Sequence, residues 1–233
     1  MKSLIFYLAC SLSVLLAPAV AQEAETVNWD VFASGTPSEI EVEIKKLPKR
    51  TGLETRKFRE EGAHWSLAHY TPLMWAAEYN PNPESIDVLT KAGAELEPIE
   101  IDRDSTTPLM LAARNNNSKV VAVLIEAGAD LEAKDQGPDF GQTPLIHAVR
   151  RYPSDPEVVF TLLMAGASAI EAEDNGETMM RDQSPLHHAV IDASLEVVEL
   201  LIEAGADIEF ALPGTNASPR TPLMDVAVMG GSP

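Results

Sequence analysis

Thr107-Pro-Leu-Met-Leu-Ala-Ala113, followed by Lys119-Val-Val-Ala-Val-Leu-Ile-Glu-Ala-Gly-Ala-Asp130, is the stretch that decides the fold. Its opening returns as Thr71-Pro72-Leu73, Thr143-Pro144-Leu145, Ser184-Pro185-Leu186 and Thr221-Pro222-Leu223. Its close returns as Ala92-Gly93-Ala94, Ala165-Gly166-Ala167 and Ala204-Gly205-Ala206. The openings are 36, 36, 41 and 37 residues apart. A period of that size marks a stack of two-helix units, none able to bury its apolar face alone.

Each residue type in the unit has a physical job. Thr or Ser caps a free backbone N–H, and Pro at the first helical position gives up nothing by lacking its own. Leu73, Leu109, Leu145, Leu186 and Leu223 are expected in the core. Ala76-Ala77, Ala112-Ala113 and Ala148-Val149 keep the inner helix slim, so that copies stack at about 8–10 Å. Asn82-Pro83 and Asp155-Pro156 start second helices, whose buried faces are marked by runs such as Val120, Val121 and Leu124. Gly93, Gly128, Gly166 and Gly205 stop them. The acidic, turn-rich residues that follow are expected to form an extended finger leading to the next copy.

Thr-Pro-Leu-x-x-Ala-Ala with a downstream Ala-Gly-Ala-Asp resembles the ankyrin repeat. That resemblance implies an all-α solenoid of helix-turn-helix units with β-hairpin fingers. It spans about residues 28–233 and is strongest over 71–224. In the family a His follows the motif Leu and makes a capping bond. Here Met74, Met110, Ile146 and Met224 take that place, and His187 alone keeps it.

The domain reading follows. Residues 1–21 are a signal peptide and 22–27 a flexible N-terminus. Residues 28–70 are a degenerate first repeat with a basic loop. Repeats occupy 71–106, 107–142, 143–183 with a long finger, and 184–220, and an incomplete one fills 221–233. In the degenerate copy Trp29, Val31 and Phe32 suggest an inner helix. Ile40, Val42 and Ile44 fit either an outer helix or a strand. The chain stops at Met229-Gly-Gly-Ser-Pro233, which reads either as a truncated frame or as a terminal half-repeat, with truncation preferred.

The export reading rests on Lys2, an apolar run from Leu4 to Leu16, Pro18, and Ala19-Val20-Ala21 before Gln22. Leu8-Ala9-Cys10 faintly resembles a lipoprotein box, but apolar sequence continues well past it. The run is short for a spanning helix of roughly 20 residues, so cleavage is preferred over an uncleaved anchor. The expected location is therefore the periplasm or the medium, with no membrane insertion after cleavage. Cleavage removes the single Cys, leaving no disulfide in an oxidising compartment.

The net charge of −19, which loss of Lys2 takes to −20, opposes binding to nucleic acid or an anionic membrane. Lys45, Lys46, Lys49, Arg50, Arg56, Lys57 and Arg59 run against that trend. They read either as a solvated loop or as a docking site for an anion. No catalytic motif stands above background, so the chain is not expected to be an enzyme. There is no His-Glu-x-x-His, Gly-rich phosphate loop or Gly-x-Ser-x-Gly, and no metal or other cofactor is expected.

The resemblance implies a protein partner on the concave face of inner helices and finger tips. Carried over by position, the partner-binding residues are Trp75, Glu78, Tyr79, Leu111, Arg114, Asn115, His147, Arg150, Arg151, His188 and Asp192. Arg114, His147, Arg150 and Arg151 would make a basic patch beside Trp75 and Tyr79, suited to an acidic or extended segment. The alternative is ordinary helix surface paired with neighbouring acids. Met179 and Met180 on the long finger are a weaker candidate contact. Two roles fit such a module: an envelope interaction scaffold, or a secreted effector or immunity-type inhibitor that blocks a foreign protein.

Overall fold

A computed structural model describes residues 27–47, 52–54, 57–58, 69–97, 105–136, 141–170, 184–192, 194–210, 221–222 and 224. The expectations for the export signal, Met179, Met180, Leu223 and most of the basic segment and last repeat lie outside these residues.

The described helices come in pairs. Asp30–Ser34 (α1) and Pro37–Ile44 (α2) form the degenerate copy. Pro72–Tyr79 (α3) and Pro83–Lys91 (α4) form the next, then Pro108–Asn115 (α5) and Ser118–Glu126 (α6). Pro144–Val149 (α7) with Pro156–Met164 (α8), and Pro185–Asp192 (α9) with Leu195–Glu203 (α10), complete the series. First helices contact first helices in the order α1, α3, α5, α7, α9. Second helices likewise contact in the order α2, α4, α6, α8, α10. The molecule is thus a two-layer solenoid, and the one strand pairing among the described residues is Lys57–Phe58 (β1) against His69–Tyr70 (β2), antiparallel.

The openings behave as capping chemistry requires. The Thr71, Thr107 and Thr143 hydroxyls accept from the N–H groups of Met74, Met110 and Ile146 at 3.2, 3.3 and 3.4 Å. Ser184 does the same for His187 and also bonds its Nδ1 at 2.7 Å, so the imidazole contact forms where the His is present. In the second regular copy the Met110 thioether substitutes weakly, accepting from the Thr107 N–H at 3.4 Å. The outer-helix alternative at 38–44 wins over the strand because Thr36 and Glu39 form a reciprocal capping box.

Leu73, Leu109, Leu145 and Leu186 are buried in one core running the length of the stack, with Phe32 and Ile40 at its start. Val27 is buried there too, which corrects the expectation that the flexible N-terminus includes it; residues 22–26 lie outside the described residues. In the four regular copies the second helix stops at a glycine such as Gly128, whose φ of +98° only glycine adopts without strain. The Ala129 N–H then reaches back to the Leu124 carbonyl at 3.1 Å, and Ala94, Ala167 and Ala206 repeat this bond in the other regular copies.

Two further sets of bonds join neighbouring copies. At the turn between helices, Asn80 Nδ2 donates to the carbonyls of Phe32 and Gly35 at 3.3 and 2.9 Å. Asn116 Nδ2 donates to those of Ala77 and Asn80, both at 2.9 Å. The Arg151 guanidinium continues the series onto the Asn116 carbonyl, and the Ser194 N–H donates to Ser154 Oγ at 3.1 Å. At the finger bases, Glu97 accepts from the Asp130 N–H at 3.0 Å and Glu132 from the Ser168 N–H at 2.7 Å.

Desolvation raises the Glu97 carboxyl above its ordinary range, and the nearby Asp130 charge adds to this against the lowering effect of the Asp130 N–H. A raised carboxyl favours the folded state at low pH, and that advantage fades as pH rises through the raised value. Ionised Glu97 therefore costs stability at neutral pH, modestly because the side chain meets solvent. Glu97→Gln, which keeps an acceptor for Asp130, is expected to stabilise by about 0.5 kcal/mol at pH 7. The difference should shrink towards pH 4 in paired urea melts; a gap that stays constant with pH would rule out this charge effect.

Candidate functional site

The inner helices carry the expected binding residues in two adjacent rows and one flanking column. Glu78, Arg114 and Arg150 occupy equivalent places at the ends of α3, α5 and α7. Tyr79, Asn115, Arg151 and Asp192 form the next row. Trp75, Leu111, His147 and His188 form the flank, two residues after each motif Leu.

The flank is largely interior, which corrects the expectation for two of its members. Leu111 is fully buried against Tyr70 and Met74, because its apolar side chain fills the gap between copies. His147 is buried, its Nε2 3.0 Å from Asp135 Oδ2. Asp135 Oδ1 in turn accepts the Gln142 N–H at 2.9 Å. His147 therefore fastens helix α7 to the base of a finger and offers nothing to a partner. Trp75 and His188 are half-buried.

Two more assignments change. Arg151 is half-buried, bonded to the Asn116 carbonyl and 3.6 Å from Asp155, so it joins copies together. Glu78 is buried and accepts from Asn115 Nδ2 at 3.2 Å across the same boundary. The side chain of Asp192 lies outside the described set.

What the structure leaves on the surface is compact. Arg114 and Arg150 are exposed on neighbouring helices α5 and α7. Helix spacing puts their backbones about 10 Å apart. Exposed Asn115 lies beside them, and Tyr79 is 41% exposed on α3. Tyr70, Trp75 and Tyr79 stack edge to face, with centroids 5.6 and 5.2 Å apart, so Tyr79 is held by a buttress of rings. A rigid aromatic edge next to two guanidinium groups suits the energetics of an interface anchor. Among the described residues no group of His, Cys, Asp and Glu could hold a metal ion. None of the helices there is long and apolar enough to cross a membrane.

Sequence reasoning missed the Asn80 and Asn116 rungs, although both lie nine residues after their Thr. It also missed Asp135 as the partner that draws His147 inward.

Comparison with known proteins agrees with the architecture. A family model described as ankyrin repeats (3 copies) matches residues 56–135, 73–175 and 132–211. A fowlpox virus ankyrin repeat protein is 32% identical over 60% of this chain and 38% of its own length. The ankyrin repeat and KH domain-containing protein mask-1 of Caenorhabditis elegans is 32% identical over 62% of this chain and 6% of its own. The human SH3 and multiple ankyrin repeat domains protein 2 is 31% identical over 66% of this chain and 7% of its own. The chain thus spans well under half of the relatives it matches. With the family model covering most of its repeats and the helices stacked in register, the chain belongs to the ankyrin-repeat family.

Proposed function

We propose that this chain is a non-enzymatic protein-interaction scaffold of the bacterial envelope. Its inner-helix face holds an acidic or extended segment of a partner protein. Ankyrin repeats in general mediate protein–protein contacts and are not themselves catalytic. The observation that carries the finer reading is the exposed pair Arg114 and Arg150 beside the buttressed Tyr79, on a chain of net charge −19. Two cations placed against the overall charge favour an anionic segment, and Tyr79 supplies an apolar edge for it. The envelope location rests on Lys2, the apolar Leu4–Leu16 run and Ala19-Val20-Ala21.

Capture from a periplasmic extract with residues 22–233 identifies a partner. Its affinity is then measured for Arg114→Glu combined with Arg150→Glu. The double charge reversal is expected to weaken binding at least ~10-fold, with the melting temperature shifted by no more than a few degrees. Unchanged affinity would remove this face from consideration.

A further inference from the structure

The four regular copies act as controls for one another on the opposite, outer layer. The outward stripe of each second helix is formed by its first, fifth and ninth residues. On α4 the stripe is Pro83, Asp87 and Lys91, and the latter two form an ion pair of 2.5 Å. On α10 it carries Glu199 and Glu203, and on α6 it ends at Glu126. On α8 the same places hold Phe160 and Met164, which are 50% and 71% exposed. Leu195, at the start of the α10 stripe, is 74% exposed. Residues four apart on a helix share a face, so Phe160 and Met164 form one apolar edge, and α10, which bears Leu195, packs against α8. Packing within the stack does not require this edge, because the copies on either side do without it.

The charges around the edge are predominantly negative. Glu126, Glu157, Glu196, Glu199 and Glu203 are all exposed on α6, α8 and α10, and Lys119 is the single base on those three helices. We infer that the Phe160–Met164 edge of α8, with exposed Leu195 on the adjoining helix α10, is a second docking site, distinct from the inner-helix face, for a basic amphipathic segment of a partner protein. Apolar side chains of such a segment would seat on Phe160 and Met164, and its Lys and Arg residues would meet the surrounding carboxylates. A second copy of this chain would bring the same five carboxylates face to face. An anionic membrane or nucleic acid would meet them with the same sign.

The probe is a labelled synthetic helix of about 18 residues with Leu on one face and Lys on the other, and its control carries Glu for Lys. The variant is Phe160→Asp with Met164→Lys, which installs the residues α4 uses at those places. It leaves net charge unchanged, so a loss of binding cannot be assigned to overall electrostatics. The full chain is expected to bind the Lys peptide in the micromolar range. The variant should bind at least ~10-fold more weakly, with its melting temperature within about 2 °C of the parent. Arg114→Glu with Arg150→Glu should bind the Lys peptide no more weakly than the parent, which separates this site from the inner-helix face.

Equal binding by the Phe160→Asp/Met164→Lys variant, or equal binding of the Glu peptide, would overturn the assignment. So would a parent dimer in sedimentation that this variant makes monomeric. Binding of the parent, but not the variant, to phosphatidylcholine vesicles would overturn it in favour of a lipid surface.

Discussion

Replacing Asn116 with alanine is expected to lower the unfolding free energy by about 2–4 kcal/mol. The side chain is buried between copies, and its Nδ2 is bonded to two carbonyls, of Ala77 and Asn80, at 2.9 Å each. Its Oδ1 accepts from the Asn117 N–H at 2.9 Å, which starts the next helix. Alanine fills none of these roles, and buried carbonyls left unpaired carry their full desolvation cost. Asn80→Ala should cost less, about 1–2 kcal/mol. One of its bonds is long, at 3.3 Å, and the Gly35 carbonyl also accepts from Ser85 Oγ. A linear array is held by interfaces between neighbours, so Asn116→Ala should also broaden the urea transition as the copies on either side uncouple. Urea melts followed by circular dichroism measure both effects. A loss below about 0.5 kcal/mol would mean that water replaces the amide at this boundary.

How far the sequence reveals the fold depends on which property a residue expresses. Leu109 and its three described equivalents are buried as their spacing predicts, because a helical period fixes the side of a helix that faces the core. Leu111 and His147 show the limit of carrying positions across from a family. Position on a helix says which way a side chain leaves the backbone, but not what folds over it afterwards. Leu111 had a signal of its own in being apolar, and it is buried with Met74 and Tyr70. His147 had none until Asp135, twelve residues earlier, was seen within bonding distance. Asn80 and Asn116 share an offset that was visible in the repeats, yet the rung moves to Arg151 in the next copy, so the regularity is chemical and not of residue type. The α8 edge becomes legible once Phe160 and Met164 are aligned with Asp87 and Lys91.

His147→Ala is expected to be as damaging as the loss of Asn116, at about 3 kcal/mol. The imidazole does two jobs through one bond. It satisfies a buried Asp135 oxygen at 3.0 Å, and it ties α7 to a loop base that Asp135 itself closes. That closure runs through the backbone, with the Asp135 N–H donating to the Gln142 carbonyl at 3.1 Å and the Gly141 N–H donating to the Asp135 carbonyl at 2.8 Å. Without the ring, the carboxylate must either stay buried with only the Gln142 N–H or pull the loop towards water. Each costs more than the bond gained on folding, so the single truncation should exceed the pair's net worth. Asp135→Ala combined with His147→Ala should therefore cost less than the two single losses added, by about 1–2 kcal/mol in a double-mutant cycle. Arg114→Ala, on an exposed position of the neighbouring helix, should stay within about 0.5 kcal/mol of the parent. An equal, small loss for His147→Ala and Arg114→Ala would show that His147 is not held inside. That result would return it to the inner-helix face, beside Arg114 and Arg150.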